Sequence, residues 1–429
     1  MNAICHLTFL LICLSTSSPN IRRASLEVNK SVFLNITSYA GYLSVNSKSS
    51  LFFWYFPALK SPKKSPLLLW LQGGPGSSSL IGLFYENGPF RFEKSGKLSL
   101  RKNTWATSNS IIFIDNPVGT GFSSEFNDYA KSEEEIADNL HEALVQFYEL
   151  FPELRSNQFF LCGESFAGKY LVKLGYKIHK FNSEVPVKIN LKGLIIGNGL
   201  CDPETQFKYA EYLYYTGLFD EEQRLAGLKF EKSISQYIEE KKYARAFHVY
   251  QEYIGGGPFS NDSYFANQTG YFDYYNILKS KNDEFIHFTK HLANFLNQNK
   301  TREALRVKGG FIISNHEVVK YIVNDFMKPV TNVMNELLKY YRILIYNGQL
   351  DIIIPYAGTL NYLNKLYDNN FRKASKKKWF KNNQLVGYVK SGNNLTFVMI
   401  RKAGHMVPID QPVFTCDLIY RFTRNLSII

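Results

Sequence analysis

The chain of 429 residues is 45% hydrophobic and 20% charged, which is enough apolar surface for one large core and excludes a disordered segment, a collagen-like repeat or a membrane bundle. Its net charge of +13 comes from 50 basic against 37 acidic residues. The basic residues are dispersed, with one tight run at 376–378, so the charge reads as a solvated surface and not as a nucleic-acid face. The 29 Tyr and 34 Phe are spread over the whole length, as core and cleft lining is, without the basic–aromatic alternation that strand-binding proteins need.

Taken in chain order, residues 1–18 place Ile4, Leu7, Phe9, Leu10, Leu11, Ile12 and Leu14 ahead of small polar residues at 15–18, the pattern of a signal peptide. The run is too short to span a bilayer, and no later stretch reaches that length, so no membrane association is expected. The residues before the apolar run lack Lys and Arg, so no cleavage position is assigned. A protein of the secretory pathway, secreted or lysosomal, is expected. Seven N-x-Ser/Thr sequons fit that compartment as glycosylation candidates: Asn29, Asn35, Asn261, Asn267, Asn299, Asn394 and Asn425. With Cys5 and Cys13 in the leader, Cys162, Cys201 and Cys416 remain, which allows at most one internal disulfide.

Short apolar runs at 66–71, 110–114, 158–162, 191–196, 342–346 and 395–400 read as buried strands. Between them, 132–150 reads as a helix: Ser132 and Glu135 predict a capping box, Ile136, Leu140, Ala143, Leu144 and Phe147 mark one apolar face, and Pro152 stops it. Strands alternating with such helices predict an α/β fold, a mostly parallel central sheet flanked by helices. The alternation lapses over 202–329, where helical stretches such as 220–240 and 241–253 run into Gly255-Gly256-Gly257-Pro258. The expected organisation is a signal peptide at 1–18, a core built from 19–201 and 330–429, and a helical cap inserted at 202–329. Such an insertion is placed to roof the crevice beyond the carboxyl ends of the strands.

Gly163-Glu164-Ser165-Phe166-Ala167-Gly168 stands between a strand and a helix, the context of a nucleophile elbow. A serine hydroxyl is a poor nucleophile at neutral pH and has to be lifted clear of the sheet on a tight turn, for which Gly163, Ala167 and Gly168 leave space. The base it needs is expected at His405, in a loop after the strand at 395–400, and the group orienting that base at Asp351, after the strand beginning at 342. Alone, Asp351 reads as a turn aspartate and His405 as a core histidine; together, in the order Ser, Asp, His, they match the α/β-hydrolase arrangement. Gly73-Gly74-Pro75-Gly76 follows another strand, so the oxyanion donors are expected to be the N–H groups of Gly74 and Phe166. Cys162 reads as a buried strand residue with nothing beside it to ionise the thiol.

Trp70 to Gly76 (Trp-Leu-Gln-Gly-Gly-Pro-Gly), Asp115 to Ser123, Gly163 to Gly168, Asn347 to Asp351 and Gly404 to Pro408 resemble the serine carboxypeptidase family over nearly the whole mature chain. Gln72, the Asn347-to-Asp351 run and Ala210-Glu211-Tyr212-Leu213 are most similar to its vitellogenic carboxypeptidase-like branch. The resemblance implies removal of C-terminal residues from peptides with a free C-terminus, no metal and no organic cofactor. It also implies that the substrate carboxylate is bound by Gln72, Gly73 N–H, Glu86 and Glu164. Two glutamates beside a third carboxylate cannot all ionise cheaply, so an acidic working pH is expected. Phe166 stands where the family usually has Tyr, and Ser77 where many members have Cys; the cap lacks the cysteines relatives pair across it. Two other readings share the fold: an esterase or acyltransferase, which would not need Glu86 and Glu164, and a catalytically idle secreted binding protein, against which the intact triad argues. A homodimer is neither required nor excluded.

Overall fold

The structure is a computed structural model that describes residues 23–123, 128–255, 262–367 and 369–429; the expected signal peptide and the sequon at Asn261 lie outside them. Among the described residues twelve strands are formed: β1 (Tyr39–Ser44), β2 (Ser50–Phe56), β3 (Leu67–Leu71), β4 (Phe90–Phe92), β5 (Leu98–Leu100), β6 (Ser110–Ile114), β7 (Phe159–Glu164), β8 (Leu191–Gly197), β9 (Arg342–Gly348), β10 (Lys377–Lys381), β11 (Gln384–Gly392) and β12 (Leu395–Ile400). Ten of them make one sheet in the order β1-β2-β6-β3-β7-β8-β9-β12-β11-β10, and β4 and β5 pair separately. The six middle strands, β6 to β12, run parallel, in register at Leu69↔Ile112, Leu71↔Gly163, Glu164↔Gly197 and Ile400↔Gly348. These six are the runs expected from apolarity. The antiparallel strands at the two edges were missed: β1, β10 and β11 carry Gly41, Gly387 and Lys residues that break the apolar signal, while β2, apolar from Leu51 to Phe56, carries the same signal as the six middle strands and went unread.

Alternate residues of the middle strands feed two cores, one on each face. Leu67, Leu69 and Leu71 of β3 join one cluster, and Leu68 and Trp70 join the other. Helices α1 (Glu133–Leu150) and α2 (Ala167–Phe181) cover the first face through Ile136, Leu140, Tyr170 and Leu171. The capping box expected at α1 is half made: Ser132 accepts from Glu135 N–H (3.1 Å), but the Glu135 carboxylate takes the N–H of Lys131 (2.8 Å) instead of that of Ser132. Between β8 and β9 the described residues contain helices and loops but no strand. The longer helices there are α3 (Glu221–Glu239), α4 (Tyr243–Tyr253), α5 (Asp283–Leu296) and α6 (Glu317–Phe326). α3 carries a complete capping box, Asp220 with Gln223. After β9 come α7 (Tyr356–Lys365) and, at the end of the chain, α8 (Pro412–Thr423), whose Leu418, Ile419 and Phe422 pack on the second face.

Cys162, Cys201 and Cys416 are all free, and Cys162 and Cys201 are fully buried. Burial alone pushes the Cys162 thiol well above its ordinary pKa, which makes it inert as a nucleophile. The glycine-rich loop is tied to 312–315 without sulfur: Ser77 Oγ pairs with Ser314 Oγ (2.9 Å), Ser78 N–H donates to Ile313 O (2.8 Å) and Asn315 N–H to Gly76 O (2.9 Å). Of the described sequons, Asn29, Asn35, Asn267, Asn299 and Asn425 are exposed, while Asn394 is half-buried and donates to Leu338 O (2.9 Å). Among the described residues no helix is long and apolar enough to cross a membrane. The whole is an α/β-hydrolase architecture.

Candidate active site

Because β3, β7, β8, β9 and β12 are parallel, the residues that follow them emerge at one edge of the sheet. The chain steps outward from β3 to β6 and then returns to place β7 on the other side of β3, which opens the crevice between Gln72 and Ser165. Ser165 takes φ +62°, a left-handed value that a serine holds only where its surroundings impose it. They do so here: Ser165 N–H donates to Gly197 O (3.1 Å), and Ser165 O accepts from Gly168 (3.0 Å) and Leu200 (2.9 Å). Close packing beneath the turn needs glycine, since a Cβ on Gly73 would stand 2.7 Å from both Ser165 Cβ and Phe166 N. Among the described residues, the N–H groups of Gly73, Gly74 and Phe166 have no acceptor.

Asp351 is fully buried after β9. Its Oδ2 accepts from His405 Nδ1 (2.8 Å) and Asn198 Nδ2 (2.5 Å), and its Oδ1 from Ile354 N–H (3.2 Å). Asn198 in turn accepts from Gly348 N–H (3.2 Å), which locks β8 to β9 behind the carboxylate. The His405 ring lies against Tyr275, centroids 5.1 Å apart and 15° from parallel, and the His405 backbone N–H donates to Tyr275 O (2.6 Å). The same segment reaches the other loop: Tyr274 O accepts from Ile352 and Ile353 (3.1 Å each), and Ile277 N–H donates to Leu350 O (2.8 Å). Residues 274–277 therefore strap the Asp351 loop to the His405 loop. Asn198 directly follows a strand of the parallel set, but nothing in the sequence marks its partner 153 residues away; Tyr275 lies in a loop with no motif to mark it.

Gln72 Nε2 donates to Glu86 Oε1 (3.2 Å) and Glu164 Oε1 (3.1 Å), and Gln72 Oε1 accepts from Trp70 Nε1 (3.1 Å). Both glutamates are buried. Burial raises both carboxyls above the usual range, that of Glu164 well above it, with the neighbouring Glu86 charge adding to the effect. Two buried carboxyls held on one amide nitrogen favour one of them keeping its proton. Asp115, which opens the Asp115-to-Ser123 run, acts at a distance: Oδ1 accepts from Ser78 Oγ (2.5 Å) and Ser79 N–H (3.0 Å), Oδ2 from Phe122 N–H (2.9 Å), and Ser79 Oγ accepts from Gln72 N–H (3.1 Å). Burial pushes its carboxyl up to about 7.

Ser165, His405, Gly73, Gly74, Phe166, Gln72 and Glu164 line one cavity of about 670 Å³. Glu86 does not line it and sits behind Gln72. Asp351 likewise stands behind His405. The rest of the wall is largely aromatic, including Phe207, Tyr250, Phe285, Phe311 and Phe326 from the segment between β8 and β9. Among the described residues no group of His, Cys, Asp or Glu is arranged to hold a metal ion.

An α/β-hydrolase sheet with a serine, a histidine and an aspartate delivered to one crevice defines a class of hydrolase; comparison with known proteins narrows it. The family model described as serine carboxypeptidase matches residues 28–425, and the chain belongs to that family. It is 44% identical to the venom serine carboxypeptidase of Apis mellifera over 91% of this chain and 85% of that one. It is 40% identical to the probable serine carboxypeptidase CPVL of Homo sapiens, over 91% and 83%, and 38% identical to the vitellogenic carboxypeptidase of Aedes aegypti, over 94% and 87%. Among solved structures, Kex1(delta)p, a prohormone-processing carboxypeptidase from Saccharomyces cerevisiae, superposes with a TM-score of 0.78 at 25% identity, covering 95% of this chain and 97% of that one. The protein is a serine-type carboxypeptidase, a hydrolase, as the motifs implied; the esterase reading gains no support.

Proposed function

We propose that this carboxypeptidase removes single residues from peptides with a free C-terminus, using Ser165 as nucleophile, His405 as general base and then general acid, and Asp351 to hold His405 Nδ1–H. The observation that carries this reading is the Gln72–Glu86–Glu164 cluster sharing one cavity with Ser165 and His405: such a cluster has a use only if the substrate brings a carboxylate. Ser165 Oγ attacks the carbonyl carbon of the last peptide bond while its proton passes to His405 Nε2. The oxyanion is held by the free N–H groups of Gly74 and Phe166. His405 returns the proton to the departing amine, and water then cleaves the acyl-enzyme by the same route. Gly73 N–H binds the terminal carboxylate together with the Gln72 amide, which turns one of its two N–H groups from a glutamate to the substrate, and a protonated Glu164 is the third donor. The helical segment 202–329 acts as the cap over this cleft. A signal peptide at 1–18, delivery to the secretory pathway and glycans on the exposed sequons complete the reading.

The proton shared by Glu86 and Glu164 sets the sign of the pH dependence. Their raised pKa values keep a donor present at acid pH; as pH rises the proton leaves, and two carboxylates then repel a third. Peptidase kcat/KM of the wild type is therefore expected to fall from about pH 5 to about pH 7.5, mainly through KM. In a Glu86→Gln, Glu164→Gln double variant that alkaline limb should flatten, because the amides cannot lose the proton. An unaltered profile, measured on a blocked dipeptide, would sink the assignment.

A further inference from the structure

We propose that Asp273 selects substrates whose released residue is lysine, by receiving its ammonium in a side pocket on the leaving-group flank of Ser165. This rests on the exopeptidase reading above. The two flanks of the cavity differ in kind. One is walled by Phe166, Phe326, Phe207 and Tyr250, stacked in contact (Phe166–Phe326 5.0 Å, Phe207–Tyr250 4.2 Å). The other lies toward the Gln72–Glu164 cluster, where Tyr85, next to Glu86 in the chain, packs on Phe285 (5.5 Å) and Phe285 on Tyr275 (6.0 Å). The terminal residue of a bound peptide lies on this second flank, because its carboxylate does.

From this flank a pocket of about 20 Å³ leads off, sharing Asp273, Tyr275, Asn282 and Met406 with the main cavity and roomy enough for one water-sized group. Asp273 is 5% exposed. Its Oδ1 accepts from Tyr275 N–H (2.8 Å), while its Oδ2 is buried with no partner among the described residues. A buried carboxylate oxygen without a donor is costly, so the site calls for a donor from outside. The donors a peptide side chain can offer a carboxylate at full strength are an ammonium, a guanidinium or a protonated imidazole, and of these the compact ammonium suits a pocket of this size. Asp410 lines the same pocket, with one oxygen taken up by Gly404 N–H (2.7 Å) and Asn276 Nδ2 (3.0 Å). The cation that lines the pocket, Lys279, is paired with Glu284 (3.1 Å) and does not hydrogen-bond to Asp273.

The test compares N-blocked Phe-Lys with N-blocked Phe-norleucine, which keeps the four-carbon stem and lacks the ammonium. The wild type should favour the lysine substrate by about 10-fold or more in kcat/KM, the worth of a charge-assisted hydrogen bond. Asp273→Asn should bring that ratio to about one while norleucine release stays within about threefold. A wild-type ratio of one or less, or an equal loss on both substrates in the variant, would overturn the inference; the second result would make Asp273 a support for Tyr275 only. A readout on the wild type alone guards against a variant that fails to fold. Burial pushes the Asp273 carboxyl up to about 6, and the titratable groups facing it are Lys279, Tyr85, Tyr275, His405, Asp351 and Asp410. The lysine-to-norleucine ratio should therefore rise between about pH 5 and about pH 7, the effects of Glu86 and Glu164 cancelling in it; a flat ratio counts against the idea. Turnover without preference would overturn this inference alone, whereas no turnover of either substrate would overturn the exopeptidase reading and this inference with it.

Discussion

Ser165→Ala is expected to lower kcat for release of a C-terminal residue by about 10⁴- to 10⁶-fold, leaving only what the oxyanion donors and binding supply. The substitution removes the one atom that can form the acyl-enzyme and nothing that holds the turn, since Ser165 is pinned through its backbone to Gly197, Gly168 and Leu200. KM and thermal stability should therefore change little. Ser165→Gly supplies a control of opposite character. It is equally inactive but relieves a residue held at φ +62°, so it should be more stable than the alanine variant by about 1 kcal/mol, the usual order of the penalty for a side chain in that region. Measuring free amino acid released from N-blocked Phe-Leu at about pH 5, alongside melting temperature, reads both. Residual activity above about 1% of wild type in either variant would remove Ser165 from the mechanism.

Lys169→Met is expected to destabilise the protein by about 3–5 kcal/mol, the cost of stranding one partner of a buried ion pair. Lys169 is wholly buried four residues after Ser165. Its Nζ meets Glu133 Oε1 (2.7 Å) at the start of α1 and the carbonyls of Asp325 and Phe326 at the end of α6, and it lies 5.3 Å from the centre of the Phe166 ring. Asp325 Oδ2 also accepts from Glu133 N–H (2.8 Å). Burial presses on the pair from both sides, lowering Lys169 and raising Glu133, so the methionine leaves a desolvated glutamate with no cation. The paired variant Lys169→Met, Glu133→Leu removes both charges and should recover most of the loss. Denaturant midpoints of the two variants decide it: equal stability of wild type and Lys169→Met would show that the pair contributes nothing. Because Phe326 stacks on Phe166 and both line the cleft, the single variant should also raise KM.

The catalytic half of the site was legible because its chemistry comes in short contiguous runs after strands. Gly163-Glu164-Ser165 and Gly73-Gly74 carry their geometry in consecutive residues, and the apolar strands that precede them fix where they emerge. Glu86 and Gln72 were placed only through family resemblance, since nothing local joins residues 14 apart through a shared hydrogen bond. Asn198, Tyr275, Asp273 and Lys169 went unread for a common reason: each acts through a partner more than 30 residues away in the chain or through an atom left unbonded. Period and turn chemistry do not encode either property. The edge strands β1, β10 and β11 went unread because glycines or lysines break their apolar signal.

The fold closes without a single covalent cross-link among its described residues. Where Ser77 meets Ser314, two hydroxyls and flanking backbone bonds hold the glycine loop to the segment beside it, and the remaining thiols are free. The described fold then rests on no disulfide, and millimolar dithiothreitol should leave peptidase activity untouched. A reducing compartment takes from the described fold no bond that an oxidising one would give it.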